Sequence, residues 1–454
     1  MPERRGLAGE LSRASALRLR VFAFLEFSLV AWACIYLALV AVSGATYGRS
    51  FAFGFALAFA IWLCLGAIFY EAERVPLPEA YLLLAILAWA GWSAASYFWS
   101  VRPALSKAEI GTEIGWGLCT AFVFYVAVRG AVSFRAVVTT AVAVGAALSV
   151  VAIHLVLLSA GADPEKSLSG LHGGVGAFST YVVLVVPLLP MLLAERPVGY
   201  GTGPVTLAVV AVLFVLLLLG ARATENRMVW VAFAAGFVVA ASLAAWRWRA
   251  RLARAPWRWA AALVVLLIVV GALFIDAATQ RAKVDLRPDA SVAKAIADDP
   301  RFALWQYTFA RIGERPWLGF GFGKSILRTE MQDELKDPLL VHAHNLFASQ
   351  WLQTGAIGVA ALCAMLLALA WRYAAFLRTG DGTLAAIGVT GLAMLAMFVV
   401  KNLTDDFMVR PTSKEFWAIS ALLLGYGIRR QRNEAQTLIS SRPRRGEANP
   451  QMSV

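Results

Sequence analysis

The chain has 454 residues, of which 60% are hydrophobic and 15% charged, and its mean hydropathy is +0.69. This composition excludes an ordinary soluble domain and is typical of an integral membrane protein. The net charge of +13 could indicate nucleic-acid binding, but the arginines lie mainly at the ends of apolar runs and in loops, not in a basic domain. We therefore expect no nucleic-acid partner, and anionic lipid headgroups and phosphates fit the charge better.

Twelve apolar runs predict an all-α fold with about twelve transmembrane helices. The first run, from Val21 to about Ser43, follows a basic N-terminus and is long enough to span, which favours a signal anchor over a cleaved signal peptide. The other windows are 51–70, 78–98, 108–128, 134–159, 175–194, 204–220, 227–246, 258–275, 355–377, 383–402 and 415–429. All four cysteines lie in such runs, so we expect neither a disulfide framework nor a cysteine metal cluster.

Lys and Arg residues in alternate loops predict the orientation of the bundle. Loops on the side of the N-terminus hold most of them, which places both termini in the cytoplasm. The predicted regions are an N-terminal membrane bundle of about nine helices (1–275), a large periplasmic loop (276–345), about three C-terminal membrane helices (346–429) and a disordered cytoplasmic tail (430–454).

The large loop is rich in Trp and Phe, which argues for a folded, functional segment. Asp299-Pro300-Arg301 has the pattern of a helix start, with Asp at the N-cap and Pro at the first helical position. This short amphipathic helix should end near Gly313, before Pro316. Its apolar residues should face the membrane surface or the bundle: Phe302, Trp305, Phe309 and Ile312. Arg301 falls in the first turn, where the helix dipole favours an anion; the alternative is a solvated interfacial cation.

A Gly-Lys-Ser sequence in the loop, within Gly319 to Ser325, does not form a phosphate-binding loop. Leu318 stands where that motif requires its first glycine, and no strand precedes it. We predict that these glycines form turns beneath Phe320 and Phe322; direct contact with an anion is the alternative.

His342 and His344 come just before the chain re-enters the membrane. In an extended stretch their spacing would point the two rings to opposite sides, and no third ligand is suitably spaced, so we predict no metal site. A histidine that titrates near neutral pH can remove a proton from a hydroxyl; an interfacial histidine bonded to the backbone is the alternative. Asn345 could cap a short helix from Leu346 to Gln353 and so fix the approach of His344.

Two further polar clusters, 222–227 and 402–410, are predicted on the same side of the membrane. Ionisable residues near membrane depth are costly and commonly functional. In the first cluster we expect Arg227 to lie nearest the bilayer, with Arg222 as a weaker candidate.

These segments resemble the O-antigen ligase and polymerase family over about 220–360. The resemblance rests on Asn226-Arg227 followed by Trp230, on Asp299-Pro300-Arg301 with Trp305, on Pro316-Trp317-Leu318-Gly319-Phe320-Gly321, and on His344-Asn345-Leu346-Phe347. Members are bacterial inner-membrane glycosyltransferases with a lipid donor. The family commonly has Ser-Arg where this chain has Asn226-Arg227.

The resemblance implies an O-antigen ligase that needs no metal or cofactor and faces the periplasm. It would transfer O-antigen polysaccharide, with inversion, from undecaprenyl pyrophosphate to a sugar hydroxyl of the lipid A core. His344 would be the general base, and Arg227, Arg301 and the weaker Arg222 would bind pyrophosphate. Supporting residues would be His342, Asn345, Asp405 and Arg410. Alternatives are an O-antigen polymerase or protein O-oligosaccharyltransferase of the same family and, in another class, a transporter or flippase of an anionic lipid. The oligomeric state stays open.

Overall fold

The structure is a computed structural model that describes residues 3–43, 47–70, 75–159, 164–194, 203–252, 256–285, 301–337 and 341–440. Regular structure in these residues is helical, without a β-strand. The helices are α1 (Glu3–Ser43), α2 (Tyr47–Tyr70), α3 (Ala80–Ala95), α4 (Pro103–Glu109), α5 (Trp116–Ala127), α6 (Ala131–Leu158), α7 (Pro164–Ser167), α8 (Val175–Val185), α9 (Met191–Ala194), α10 (Pro204–Ala223), α11 (Arg227–Arg247), α12 (Arg249–Leu252), α13 (Pro256–Asp285), α14 (Arg301–Glu314), α15 (Arg328–Leu335), α16 (Leu346–Leu377), α17 (Gly382–Lys401) and α18 (Arg410–Ser440). Short 3₁₀ segments, Ser96–Trp99 and Val186–Leu188, and a π turn, Ile110–Gly115, complete them.

Ten helical segments of the described chain are long and apolar enough to cross a membrane. They are Ala16–Ala41, Ala80–Trp99, Pro103–Ala127, Ala131–Leu158, Val175–Ala194, Pro204–Ala223, Arg227–Arg247, Trp257–Gln280, Leu346–Leu377 and Gly382–Lys401. The chain is a multi-pass membrane protein, and ten of the twelve predicted windows coincide with a helix that could span the bilayer.

The other two predicted windows are helical, but their helices are not both long and apolar enough to count as membrane spans. The window at 51–70 lies in α2, whose described apolar part, Ala56–Tyr70, is shorter. The window at 415–429 lies in α18, where Glu415 and Arg429 bound the uncharged run. A run this short is more typical of a buried core helix, and its residues are indeed buried. Length and hydropathy therefore do not support our count of twelve.

The polar end of α18 is held by contacts that the sequence did not reveal. Arg430 Nη2 lies 2.7 Å from Asp381 Oδ2, in the turn before α17. The helix continues to Ser440, although we predicted disorder for 430–454. The remainder of that tail, 441–454, lies outside the described residues.

The bundle has polar groups at two opposite ends. Arg247 Nη2, at the end of α11, donates to the carbonyls of Thr379 and Gly380, just before α17, at 2.9 and 3.2 Å. The start of α11 and the end of α17, Lys401, therefore share the opposite end, since the two helices pack along their length. We call the end with Lys401 the outer end and the end with Arg247 the inner end, after the predicted orientation.

The large loop folds onto the outer end through glycine turns. The Phe320 N–H donates to the Leu352 carbonyl at 2.9 Å, and the Gly321 N–H donates to the Gln353 carbonyl at 2.8 Å. Residues 319, 321 and 323 are glycines with positive φ, and the Phe320 ring is buried with that of Phe322. The predicted turns are confirmed.

The helix predicted after Asp299-Pro300 is α14, although those two residues lie outside the described part of the chain. Its buried face consists of Leu304, Tyr307, Thr308 and Ile312. Phe302 and Phe309 are exposed because α15 and α16 contact the neighbouring face. Of the predicted apolar stripe only Ile312 is buried, which leaves the two phenylalanines available to a membrane surface.

Gly355 divides α16 into two parts at a kink. We predicted two separate helices here, a short one from Leu346 to Gln353 and a span at 355–377. The φ of Gly355 is +71°, and an added Cβ would collide with the Trp317 carbonyl. We expect Gly355→Ala to lower the free energy of unfolding by more than about 1 kcal/mol, because both the backbone conformation and the close approach need glycine. Thermal unfolding in detergent measures this change.

Gly313→Ala is the matched control, because Gly313 is helical and a Cβ there meets open space. Alanine should raise the free energy of unfolding by up to about 1 kcal/mol. Equal melting temperatures for the two variants would show that the approach of Gly355 to Trp317 contributes nothing.

Candidate active site

Charged side chains from distant parts of the chain meet at the outer end. His344 Nδ1 lies 3.3 Å from Asp405 Oδ1, and Lys401 Nζ lies 3.8 Å from Asp405 Oδ2. Asp405 and Lys401 are buried, whereas a quarter of the His344 side chain is exposed. We call these three residues the outer-end triad.

Hydrogen bonds to the backbone bring His344 to Asp405. Asn345 Oδ1 accepts from two N–H groups in the first turn of α16, each at 3.0 Å, so the predicted cap is confirmed. Asn345 Nδ2 donates to the Leu403 carbonyl at 2.7 Å. The same side chain thus ties the histidine segment to the turn that carries Asp405.

His342 and His344 lie on the same side, and our prediction that they point apart is wrong. Their ring centroids are 3.8 Å apart. The segment is not extended, because φ of His344 is +46° and its N–H donates to His342 Nδ1 at 3.0 Å. One left-handed residue folds the second ring back over the first.

The two histidines have different chemical environments. Burial lowers the pKa of His342 well below its usual value, and the nearby charges of Lys324 and His344 lower it further. His342 is therefore neutral, and its proton lies on Nε2 because Nδ1 accepts a hydrogen bond. His344 turns Nδ1 towards Asp405, so Nε2 is the ring nitrogen left to contact a substrate.

Asp405 stays ionised in this position. Burial alone raises the pKa of its carboxyl, but contacts with His344, Lys401 and Lys324 outweigh burial and hold the pKa well below its usual value. A negative Asp405 can orient the His344 ring and stabilise it once protonated.

His342, His344 and Asp405 also have the geometry of a possible metal site, with ligand atoms within 4.8 Å of one another. We predicted no suitably spaced third ligand, and Asp405 is a candidate for one that lies far away in the sequence. Lys401 and Lys324 act on the same carboxylate, and their charges would oppose a cation bound there. The buried Asp406 carboxyl also lies near Lys324, so the cluster contains charges of both signs.

Arg301 belongs to this outer-end cluster. Trp305, one turn later in α14, donates from Nε1 to the Ala343 carbonyl at 2.9 Å. The bond holds the first turn of α14 beside the histidines. Arg301 is close enough to Lys401 for the two positive charges to repel each other. A guanidinium here can face the phosphates of a substrate that also reaches His344.

Arg227 and Arg222 lie on either side of the turn that joins α10 to α11. Arg227 begins α11 behind the N-cap Asn226, and the packing of α11 on α17 places it at the outer end. The Arg222 guanidinium forms an ion pair with the Asp276 carboxylate of α13. Arg227 and Arg222 therefore lie at the same end of the bundle.

Arg410 is exposed at the start of α18, and its charge acts on His342. Its φ is +56°, and its backbone N–H donates to Glu113 Oε2. Arg410 therefore lies close to the site, in a position fixed by its backbone.

One family model matches part of the chain. Residues 212–363 match the family model described as O-antigen ligase. Over this part, about a third of its length, the chain is similar to the O-antigen ligase family. No curated protein matches the chain. The family consists of glycosyltransferase-like enzymes that act on lipid-linked glycans in a membrane.

Two cations of the candidate site were missed from the sequence. Lys401 ends an apolar window and was counted with its span, although its spacing of four residues from Asp405 could have drawn attention to it. Lys324 was set aside with the rejected phosphate-binding motif. Its Nζ donates to the Asp406 carbonyl at 2.7 Å, which brings it to the turn of Asp405.

Proposed function

We propose that the chain is an O-antigen ligase of the bacterial inner membrane, with its active site facing the periplasm. It would transfer O-antigen polysaccharide from undecaprenyl pyrophosphate to a sugar hydroxyl of the lipid A core, with inversion and without a metal. The contact of His344 with Asp405, at 3.3 Å and among cations, carries this proposal. It combines a general base with groups that attract an anionic leaving group.

In the proposed reaction, His344 Nε2 removes the proton of the acceptor hydroxyl as its oxygen attacks the anomeric carbon of the donor. The bond from that carbon to the pyrophosphate oxygen breaks, and undecaprenyl pyrophosphate leaves with the electron pair. Attack opposite to the leaving group inverts the anomeric centre. Asp405 stabilises the imidazolium that forms, and Arg301 and Arg227 bind the developing negative charge.

Arg301→Lys should lower kcat/KM for the lipid donor by roughly tenfold to a hundredfold. Lysine keeps the charge but loses the planar fork that binds two phosphate oxygens. Arg328→Lys is the control, because Arg328 is exposed on α15 in the same loop. Transfer rates measured against donor concentration test this, and equal values for the two variants would demote Arg301 to a surface cation.

Reconstitution of the purified protein in liposomes tests the reaction class. The donor is an undecaprenyl pyrophosphate-linked glycan, and the acceptor is lipopolysaccharide that ends at the core. We expect new glycan on the core. A longer glycan that stays on undecaprenyl pyrophosphate would indicate a polymerase, and glycan on Ser or Thr would indicate a protein oligosaccharyltransferase. Movement of lipid across the membrane without a new bond would indicate a transporter.

A further inference from the structure

A second group of arginines surrounds a cavity at the inner end, across the bundle from the outer-end triad. The cavity has a volume of about 390 Å³. It is lined by Trp246, Arg247, Arg249, Leu377, Arg378, Thr379 and Gly380. Three of these residues carry a positive charge and none is acidic. Its size and charge suit a small anionic group.

No residue that lines the cavity carries a carboxylate to balance its three arginines. Arg247 donates through Nη2 to two carbonyls of the turn before α17, but its buried Nε has no hydrogen-bond partner among the described residues. Arg249 and Arg378 are exposed. The next carboxylate in the turn, Asp381, is engaged by Arg430 and shares a hydrogen bond with the Glu434 carboxyl. A ligand with several acceptor oxygens would satisfy the Arg247 donor and balance the charge.

Exposed tryptophans place the cavity at the level of lipid headgroups. Trp246 is 54% exposed and Trp371 is 61% exposed, and the Arg378 guanidinium lies 5.7 Å from the Trp371 ring. Trp257 and Trp259, at the start of α13, are exposed as well. Tryptophans in such numbers at the ends of spans are typical of the membrane–water interface.

We propose that this cavity binds the phosphate headgroup of an anionic phospholipid. Guanidinium groups bind phosphate oxygens in a fork, and basic pockets between transmembrane helices are suited to anionic headgroups. The acyl chains would lie along the exposed tryptophans. The site is distinct from the proposed transferase site, because its residues lie at the opposite end of the bundle.

Native mass spectrometry of the purified full-length protein tests the site. Dioleoyl phosphatidylglycerol is titrated against dioleoyl phosphatidylcholine, which has the same chains but a zwitterionic headgroup. The variant is Arg249→Gln/Arg378→Gln, which keeps the bridge made by Arg247. The control is Arg20→Gln/Arg135→Gln, which removes two exposed arginines predicted on the same face but outside the cavity. Melting temperatures in lipid-free detergent check that both proteins are folded.

We expect phosphatidylglycerol to bind the cavity variant about tenfold more weakly, and the control to bind within about twofold of wild type. Equal weakening in both variants would overturn the proposal in favour of diffuse surface charge. A third titration with glycerol phosphate separates lipid from soluble phosphate. If glycerol phosphate binds as tightly as the lipid and is lost in the same variant, the assignment to a phospholipid is wrong.

Discussion

His344→Asn is expected to lower the rate of glycan transfer by roughly 10²- to 10⁴-fold. The substitution removes the proposed base, whereas asparagine tolerates the positive φ at this position better than alanine does. The cap formed by Asn345 is retained, so α16 should keep its start. Single-turnover transfer by purified protein at saturating donor measures the effect on the chemical step.

His154→Asn is the matched control, because His154 is exposed on α6, away from the described outer-end contacts. It should transfer glycan at the wild-type rate. His342→Asn should retain more activity than His344→Asn, since the buried neutral His342 acts by holding the backbone of His344. A normal rate for folded His344→Asn would rule out His344 as the base.

Asp405→Asn is expected to reduce activity and stability together. It removes the partner of His344 Nδ1 and leaves the buried Lys401 ammonium without its carboxylate. Breaking a buried charge pair on one side lowers the free energy of unfolding by about 3 kcal/mol. Transfer rates and denaturant unfolding in detergent measure the two effects separately.

Adding Lys401→Met to Asp405→Asn should separate the two roles of the carboxylate. Methionine removes the buried Lys401 charge that Asp405→Asn leaves unpaired, so most of the free energy of unfolding should be recovered. The transfer rate should stay low, because His344 still lacks the group that orients its ring. Recovery of both properties in the double variant would show that Asp405 serves only to neutralise Lys401.

The lowered pKa of Asp405 also sets the direction of a pH effect. The contribution of its charged form to stability is complete above the pKa in the unfolded chain, about 3.9, and is lost as the pH falls through the lower folded value. Wild type should therefore lose this contribution in acid. The double variant should lack that loss, and unfolding series between neutral and acidic pH compare the two.

Features that depend on neighbouring residues were predictable from the sequence. The apolar windows gave most of the helices, and the glycines around Phe320 gave the turns that seat the loop. The Asn345 cap follows from a side chain that reaches N–H groups two and three residues ahead. Such contacts form between residues that are close together in the sequence.

Features that depend on tertiary contact were not predictable. The orientation of His342 and His344 changes with a single φ, and Asp405 reaches them only because α17 returns the chain to the outer end. The π turn that presents Glu113 to Arg410 has no recognised sequence signal. Burial of α18 at the bundle centre likewise explains why its short apolar run resembled a span.

The most direct test of ligase function is a lipopolysaccharide gel from a strain that lacks the gene, run beside the pool of undecaprenyl-linked glycan. We expect long ladders to disappear from the core while full-length polymer accumulates on undecaprenyl pyrophosphate. A core that still carries a single repeat unit would contradict the ligase and indicate a polymerase. Unaltered patterns in both pools would contradict any role in O-antigen transfer.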